Sequence, residues 1–85
     1  MKGNRSPSKF LVEQFKAAGY DHVIPSACVR FIRVLLPQLP NDWQNLDRDS
    51  LIKKVRFHCE MSAATGELKR RRSKGSQGYI YEIVT

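Results

Sequence analysis

The chain has 85 residues, with fifteen Lys and Arg against eight Asp and Glu and a formal net charge of +7. A chain of this length forms one small domain, and a composition that is 41% hydrophobic and 27% charged excludes a disordered or fibrous protein. No apolar run is long enough to span a membrane, and no stretch of signal-peptide type follows the basic N-terminus, so we expect an intracellular, cytoplasmic protein. So large an excess of positive charge favours a polyanionic partner, most often nucleic acid.

The positive charge is concentrated in one part of the chain. Residues 48–74 hold nine basic and three acidic side chains, whereas the remainder holds six basic and five acidic ones. One region of the fold therefore carries most of the excess charge. The elements in that region are the first candidates for a binding surface.

A first helix is predicted over residues 9–18. Residues 1–8 are expected to form a loose, flexible basic tail, and the last of them, Ser8, is placed to cap the helix. Gly19 is typical of a residue just beyond a helix C-terminus. Residues 9–85 are accordingly expected to form a single domain.

The next elements are a short extended segment and a second helix. Residues 23–24 precede a proline, and the residue before a proline prefers an extended conformation. The second helix is predicted over residues 25–36 and stops at Pro37. Residues 37–46 then form a connector with two prolines, in which we expect Trp43 to lie in the core.

A third helix is predicted from a cap at Asp47 or Asp49 to about residue 64, with Gly66 beyond its end. On a helical wheel its apolar residues form one side, which we expect to be buried. The opposite side is basic and carries one aromatic residue. Its outward side chains are Lys53, Lys54, Arg56 and Phe57. For Phe57 the alternative is that the ring packs under the C-terminal hairpin or against the first helix.

The end of the chain changes to the period-two pattern of β-strands. Residues 67–72 and 79–84 are predicted to be two strands, joined by the glycine-containing loop at 73–78 as a hairpin with a basic tip. Alternate residues of a strand point to opposite faces, and Leu68 is expected to point to the core. The consecutive basic residues 69–72 repel one another without an anion, and a phosphate backbone relieves that repulsion.

The order of helix, extended segment, helix, connector, basic helix and basic hairpin resembles the winged helix-turn-helix DNA-binding domain. The resemblance is carried by residues 48–84, RDSLIKKVRFHCEMSAATGELKRRRSKGSQGYIYEIV. There a capped amphipathic helix ends at a glycine and is followed by a basic strand, a glycine-containing loop and a strand with aromatic residues. The resemblance extends more loosely over residues 9–84. The ten-residue connector departs from it, because it is longer than the tight turn of a simple helix-turn-helix.

The resemblance implies an α+β fold of three helices with a C-terminal two-stranded β-hairpin as the wing, and double-stranded DNA as the partner. We expect the third helix to enter the major groove and the hairpin to contact the backbone or the minor groove. The candidate DNA-binding residues are Arg48, Lys53, Lys54, Arg56, Phe57, Lys69, Arg70, Arg71, Arg72, Lys74 and Gly75.

A domain this small reads few base pairs, so specificity is expected to need a homodimer or adjacent copies on DNA. The expected role is that of a small transcriptional regulator or accessory DNA-binding factor of a bacterium, phage or plasmid, associated with the nucleoid when bound.

We expect no enzymatic activity, metal, cofactor, small-molecule ligand or membrane partner. Cys59 and His58 are neighbours on a helix, so their side chains diverge by about 100°. His22 and Cys28 add no recognisable metal-ligand spacing. The Gly-Ser-Gln-Gly segment lies between two predicted strands, which is typical of a hairpin loop and not of a nucleotide-binding motif.

Two alternatives remain open. Tyr79 and Tyr81 are two residues apart and share one face of the last strand, which either packs on the third helix or stacks on RNA bases. The second alternative is a protein-interaction module whose basic hairpin docks on an acidic host partner.

Overall fold

The computed structural model describes residues 7–72 and 79–84. Within these residues the chain has an α+β fold of three α-helices and a three-stranded antiparallel sheet. The elements in chain order are α1 (Pro7–Ala17), β1 (His22–Val23), α2 (Val29–Leu35), α3 (Arg48–Ala64), β2 (Leu68–Arg72) and β3 (Tyr79–Ile83). The predicted α+β class is therefore confirmed for this part of the chain.

Helix α1 begins earlier than the sequence predicts. Pro7 and Ser8 belong to the helix, so the prediction of a flexible tail over residues 1–8 is wrong for these two residues, and Ser8 does not cap the helix. A proline fits the first helical turn because the N–H that it lacks would have no intrahelical partner there. Ser8 is buried and lies against α3. This packing favours the helical conformation of Ser8 at the beginning of α1. The rest of the predicted tail lies outside the described residues.

The helix ends follow the sequence signals. Asp47 caps α3, because its Oδ1 accepts a hydrogen bond of 2.8 Å from the backbone N–H of Ser50. Gly19 and Gly66 both have a φ of +88°, the left-handed conformation that lets a chain leave a helix and that favours glycine. These two glycines turn the chain from α1 towards β1 and from α3 towards β2.

The second helix is shorter than predicted and is flanked by 3-10 turns at Pro25–Ala27 and Leu36–Gln38. The connector that follows contains a third such turn at Asn41–Trp43. The side chain of Gln44 ties the connector to the end of α2, because its Nε2 donates to the backbone oxygen of Leu36 at 2.5 Å. Trp43 is 1% exposed, which confirms the prediction that it lies in the core.

The sheet has one strand more than the predicted two-stranded hairpin. Its strand order is β1-β3-β2, with both pairings antiparallel, so the hairpin of β2 and β3 has the short β1 at its other edge. The extended segment predicted at 23–24 is thus a strand that lies one residue earlier, and Val23 pairs with Tyr81. Pairing with β3 supplies hydrogen-bond partners for the backbone groups of β1. The local sequence does not indicate this pairing.

The core lies between the helices and one face of this sheet. The largest of its fully buried side chains are Trp43, Tyr81, Phe15 and Ile32. The buried side of α3 packs against α1, β2 and the turn that precedes α2, so α3 is the central element of the described chain. Its other side faces outward next to the hairpin.

Candidate functional site

The outward side of α3 carries two cations and an aromatic ring. Lys53 and Arg56 are exposed, and among the described residues neither forms an ion pair. Phe57 is 59% exposed and meets His58 edge-on, with 5.3 Å between the ring centroids. The predicted outward orientation of these side chains is confirmed, and a large apolar group so exposed is unusual enough to mark a contact surface.

The strand register divides the four basic residues of β2 between two faces of the hairpin. Arg70 lies opposite Tyr81, and Arg72 lies opposite Tyr79, on the face that also carries the buried Leu68. We call this face the α3-facing side, because its side chains contact α3. The outer side carries the remaining basic residues, Lys69 and Arg71.

Glu60 joins α3 to the hairpin. Its Oε1 accepts a hydrogen bond of 2.8 Å from Nη1 of Arg70, and its Oε2 accepts one from the hydroxyl of Tyr81. The Arg70 guanidinium also lies over the ring of Tyr79, with 4.6 Å from Cζ to the ring centroid. One carboxylate of α3 is thus bonded to both strands of the hairpin.

Tyr81 is the buried part of this junction, with 1% of its surface exposed. Burial first, and then the hydrogen bond to Glu60, raise the pKa of Tyr81, so its hydroxyl stays protonated and donates to the carboxylate. Arg56 lies four residues before Glu60 on α3, so the two residues are neighbours on the helix surface. Because Tyr81 is buried and bonds α3, this residue packs on the third helix and is not available to stack on RNA bases with Tyr79.

The outer side of the hairpin is more nearly neutral. Nε of Arg71 lies 2.9 Å from Oε2 of Glu82, and Lys69 is directly opposite Glu82 in the strand register. The outer side therefore has two cations around one carboxylate, at some distance from the outward side of α3.

Lys54 differs from the other predicted contact residues of α3. Its Nζ lies 2.6 Å from Oδ2 of Asp42 and 5.5 Å from the centroid of the Trp43 ring, and its side chain is only 27% exposed. The hydrogen bond from Lys54 lowers the pKa of Asp42. Lys54 thus binds the connector and lies apart from the surface that faces the hairpin.

Three candidates remain. Arg48 is the exposed first residue of α3, five residues before Lys53. Lys74 and Gly75 lie outside the described residues. Of the predicted contact residues, Arg70 bonds Glu60 directly, Arg72 shares the strand face of Arg70, and Lys53 and Arg56 are exposed on α3.

A second polar contact connects α1 with α3. Oγ of Ser8 lies 2.7 Å from Nδ1 of His58, and the His58 ring is stacked on Trp43 with 5.2 Å between centroids. Burial, followed by the charge of Lys54, lowers the pKa of His58. The ring is therefore neutral near pH 7. This contact was missed because Ser8 was assigned to the tail.

The cysteines are buried thiols in the reduced form. Burial raises the pKa of Cys28 to about 11 and that of Cys59 to about 12, so both stay protonated. Among residues 7–72 and 79–84 no three His, Cys, Asp or Glu side chains gather in a group that could hold a metal ion.

Sequence reasoning also missed the role of Glu60. Two signals in the sequence point to it. Arg70 is two residues after Leu68 and so shares the face that meets α3, and Glu60 lies one helical turn after Arg56 and Phe57. A carboxylate on this side of α3 can pair with a cation of the strand that packs next to it.

The described chain is a small α+β protein whose central helix and hairpin share a basic outward surface. A scan against protein-family models, a search of curated proteins and a search of solved structures find no match for it. No helix in the described part of the chain is long and apolar enough to cross a membrane.

Proposed function

We propose that this protein binds double-stranded DNA, with α3 in the major groove and the α3-facing side of the hairpin against the adjacent backbone or groove edge. One observation carries the proposal. Cations from two different elements, Lys53 and Arg56 of α3 and Arg70 and Arg72 of β2, lie on neighbouring exposed surfaces that Glu60 joins.

The dimensions and chemistry of α3 support this proposal. An α-helix fits the major groove, where Lys and Arg can bond guanine edges and an apolar side chain can contact the thymine methyl group. Lys53, Arg56 and Phe57 supply those groups, and all three are exposed. The seven steps from Lys53 to Glu60 rise by about 10 Å along the helix, and Glu60 bonds Arg70 of the hairpin.

The ion pairs of the hairpin are compatible with this function. Arg70 is paired with Glu60, yet both side chains are partly exposed to solvent. An exposed pair of this kind contributes at most about 1 kcal/mol to stability. The guanidinium donors of Arg70 that Glu60 does not use can therefore bind a phosphate group, and such binding releases counterions.

The winged helix-turn-helix layout belongs to the same proposal. The order of elements that carried the resemblance is also the order in the folded chain, with the hairpin next to α3. This supports a winged arrangement, in which helix and hairpin act on one duplex.

The experiment that tests the proposal measures equilibrium binding to a labelled mixed-sequence duplex of about 25 base pairs, from about 50 to 200 mM salt. If six to eight phosphates are contacted, affinity falls by about 10³-fold or more over this range. A single strand and an RNA duplex serve as competitors. Absence of duplex binding at the lowest salt, or a preference for RNA, would contradict the proposal.

Two double variants locate the surface. Replacing Arg70 and Arg72 by alanine removes two cations from the α3-facing side, and we expect the salt slope to decrease by about two units. Replacing Lys69 and Arg71 by alanine removes the same charge from the outer side and serves as the matched control. Equal losses in the two double variants would show that the net charge, and not this surface, determines binding.

A further inference from the structure

The guanidinium of Arg70 is held from two directions before any ligand binds. Its Nη1 donates to Oε1 of Glu60 at 2.8 Å, and its Cζ lies 4.6 Å from the centre of the Tyr79 ring. The side chain is nevertheless 48% exposed. Arginine usually loses considerable rotamer entropy when it binds, and these two contacts remove part of that loss in advance.

The carboxylate that holds Arg70 is itself fixed. The other oxygen of Glu60 accepts the hydrogen bond of Tyr81, whose side chain is buried. If Glu60 moved away, the buried hydroxyl would lose its partner, which costs about 1–3 kcal/mol. Glu60 thus positions Arg70 relative to α3, and not only relative to its own strand.

The hydrogen bond to Glu60 uses one end of a planar group that has five N–H donors. Donors remain for a bidentate contact, in which two parallel N–H groups bond a pair of adjacent acceptors. On a duplex such pairs are the oxygens of one phosphate and the O6 and N7 atoms of guanine. A lysine has the same charge but cannot form this fork.

We propose that Arg70 makes a bidentate contact with the DNA duplex and that Glu60 and Tyr79 are the residues that position it for this contact. The inference rests on the proposed function, because it names the role of one side chain on that surface. It assigns to Arg70 a contact that depends on its geometry as well as on its charge.

Arg71 provides a matched comparison in the same strand. It is also paired with a carboxylate, through Nε and Glu82 at 2.9 Å, but it lies on the outer side of the hairpin. Among the described rings none lies under its guanidinium. Arg70→Lys and Arg71→Lys therefore make the same chemical change on opposite faces, without a change in net charge.

The first test measures duplex affinity for these two variants at several salt concentrations. We expect Arg70→Lys to bind about tenfold more weakly than the unaltered protein at each salt concentration, with the same salt slope. We expect Arg71→Lys to stay within about twofold of the unaltered protein. Equal affinities of the two variants would overturn the inference.

A panel of duplexes identifies the bonded acceptors. If the loss in Arg70→Lys is confined to duplexes with guanine at one position, the fork reads a base edge. If the loss is the same on every duplex, the fork binds a phosphate. Both results support the bidentate contact and name its source.

The second test examines the positioning role of Glu60. We expect the tenfold difference between Arg70 and its lysine variant to shrink to about twofold when the comparison is repeated in a Glu60→Gln background. Each comparison is made between two proteins with the same residue at position 60. The change in affinity caused by the lost charge of Glu60 is therefore the same for both and cancels. An undiminished difference would show that Glu60 does not position Arg70.

The two proposals fail in distinguishable ways. If the unaltered protein binds no duplex, the proposed function is wrong, and this inference fails with it. If the protein binds duplex with a steep salt slope but Arg70→Lys binds as tightly as Arg71→Lys, only the inference fails.

Discussion

Two clusters at different places on α3 contain the same three kinds of group, namely a cation, a carboxylate and an aromatic ring. The first, the Trp43 cluster, consists of Lys54, Asp42 and Trp43. Lys54 bonds Asp42 at 2.6 Å and lies over the ring of Trp43. The ring is part of the core, so this cluster closes the connector onto α3.

The second, the Tyr79 cluster, consists of Arg70, Glu60 and Tyr79. The ion pair is 2.8 Å long and the cation again lies over a ring. Here, however, the ring of Tyr79 is 37% exposed and the guanidinium is only partly covered. The same contacts therefore close a buried part of the fold at one place and fix a partly exposed cation at the other.

The burial of the ring explains this difference. A buried ring gains hydrophobic free energy and anchors its neighbours, and the cation on it serves mainly to cover it. An exposed ring gains little hydrophobic free energy on folding. A cation that lies over such a ring loses some of its own freedom of motion but does not complete a core. A contact of one chemical type thus stabilises the core or only restricts a surface side chain, according to whether the ring beneath it is buried.

The largest expected effect is the loss of the buried ring. Trp43→Ala should lower the free energy of unfolding by about 3–5 kcal/mol, because a large side chain leaves a cavity in the core. Tyr79→Ala should lower it by less than about 1 kcal/mol, since that ring is partly exposed. Denaturant unfolding of both variants measures the difference.

Because Trp43→Ala removes a large share of the stability of so small a domain, Trp43→Phe provides a milder second variant. It should be less stable than the unaltered protein but more stable than Trp43→Ala. If Tyr79→Ala destabilised the protein as much as Trp43→Ala, the distinction between the two clusters would be lost.

A smaller effect is expected at the bond that fixes Glu60. Tyr81→Phe keeps the buried ring but removes the hydroxyl, and we expect the free energy of unfolding to fall by about 1–2 kcal/mol. Tyr20→Phe is the control, because that exposed tyrosine contacts its neighbours through its ring. Equal stability of Tyr81→Phe and the unaltered protein would show that the hydroxyl does not hold Glu60.

Local patterns were sufficient to predict much of the fold. The boundaries of α3 follow from the cap at Asp47 and the glycine at position 66, and the two strands of the hairpin follow from their period-two pattern. These signals act over a few residues, so they are visible in the sequence. The pairing of β1 with β3 joins residues about sixty positions apart, and no local pattern specifies it.

The candidate site was predicted as a set of residues but not as an arrangement. Lys53, Arg56 and Phe57 point outward as their helical spacing indicates. The division of β2 into two faces was implied by alternation, yet the pairing of Arg70 with Glu60 depends on how the hairpin packs on α3. Composition and spacing do not predict which side chains become partners when segments distant in the sequence pack together.

The smallest effect concerns pH and the Trp43 side of α3. Burial lowers the pKa of His58 below the ordinary value of 6.5, so the unfolded chain binds a proton at this residue more readily than the folded chain. Stability from this group is therefore complete above pH 6.5 and decreases as the pH falls through 6.5 towards the lower pKa of the folded state. The measurement is the urea midpoint between about pH 7.5 and pH 5.

The variant His58→Gln serves as the control for this pH dependence, because glutamine does not titrate. Its urea midpoint should change less than that of the unaltered protein over the same range. Asp42 and Asp47, whose pKa values hydrogen bonds lower from 3.8, lose their contributions only at more acidic pH, so they do not obscure the effect. A midpoint that rises as the pH falls from 7.5 would contradict the lowered pKa of His58, and with it the burial of His58 between Ser8 and Trp43.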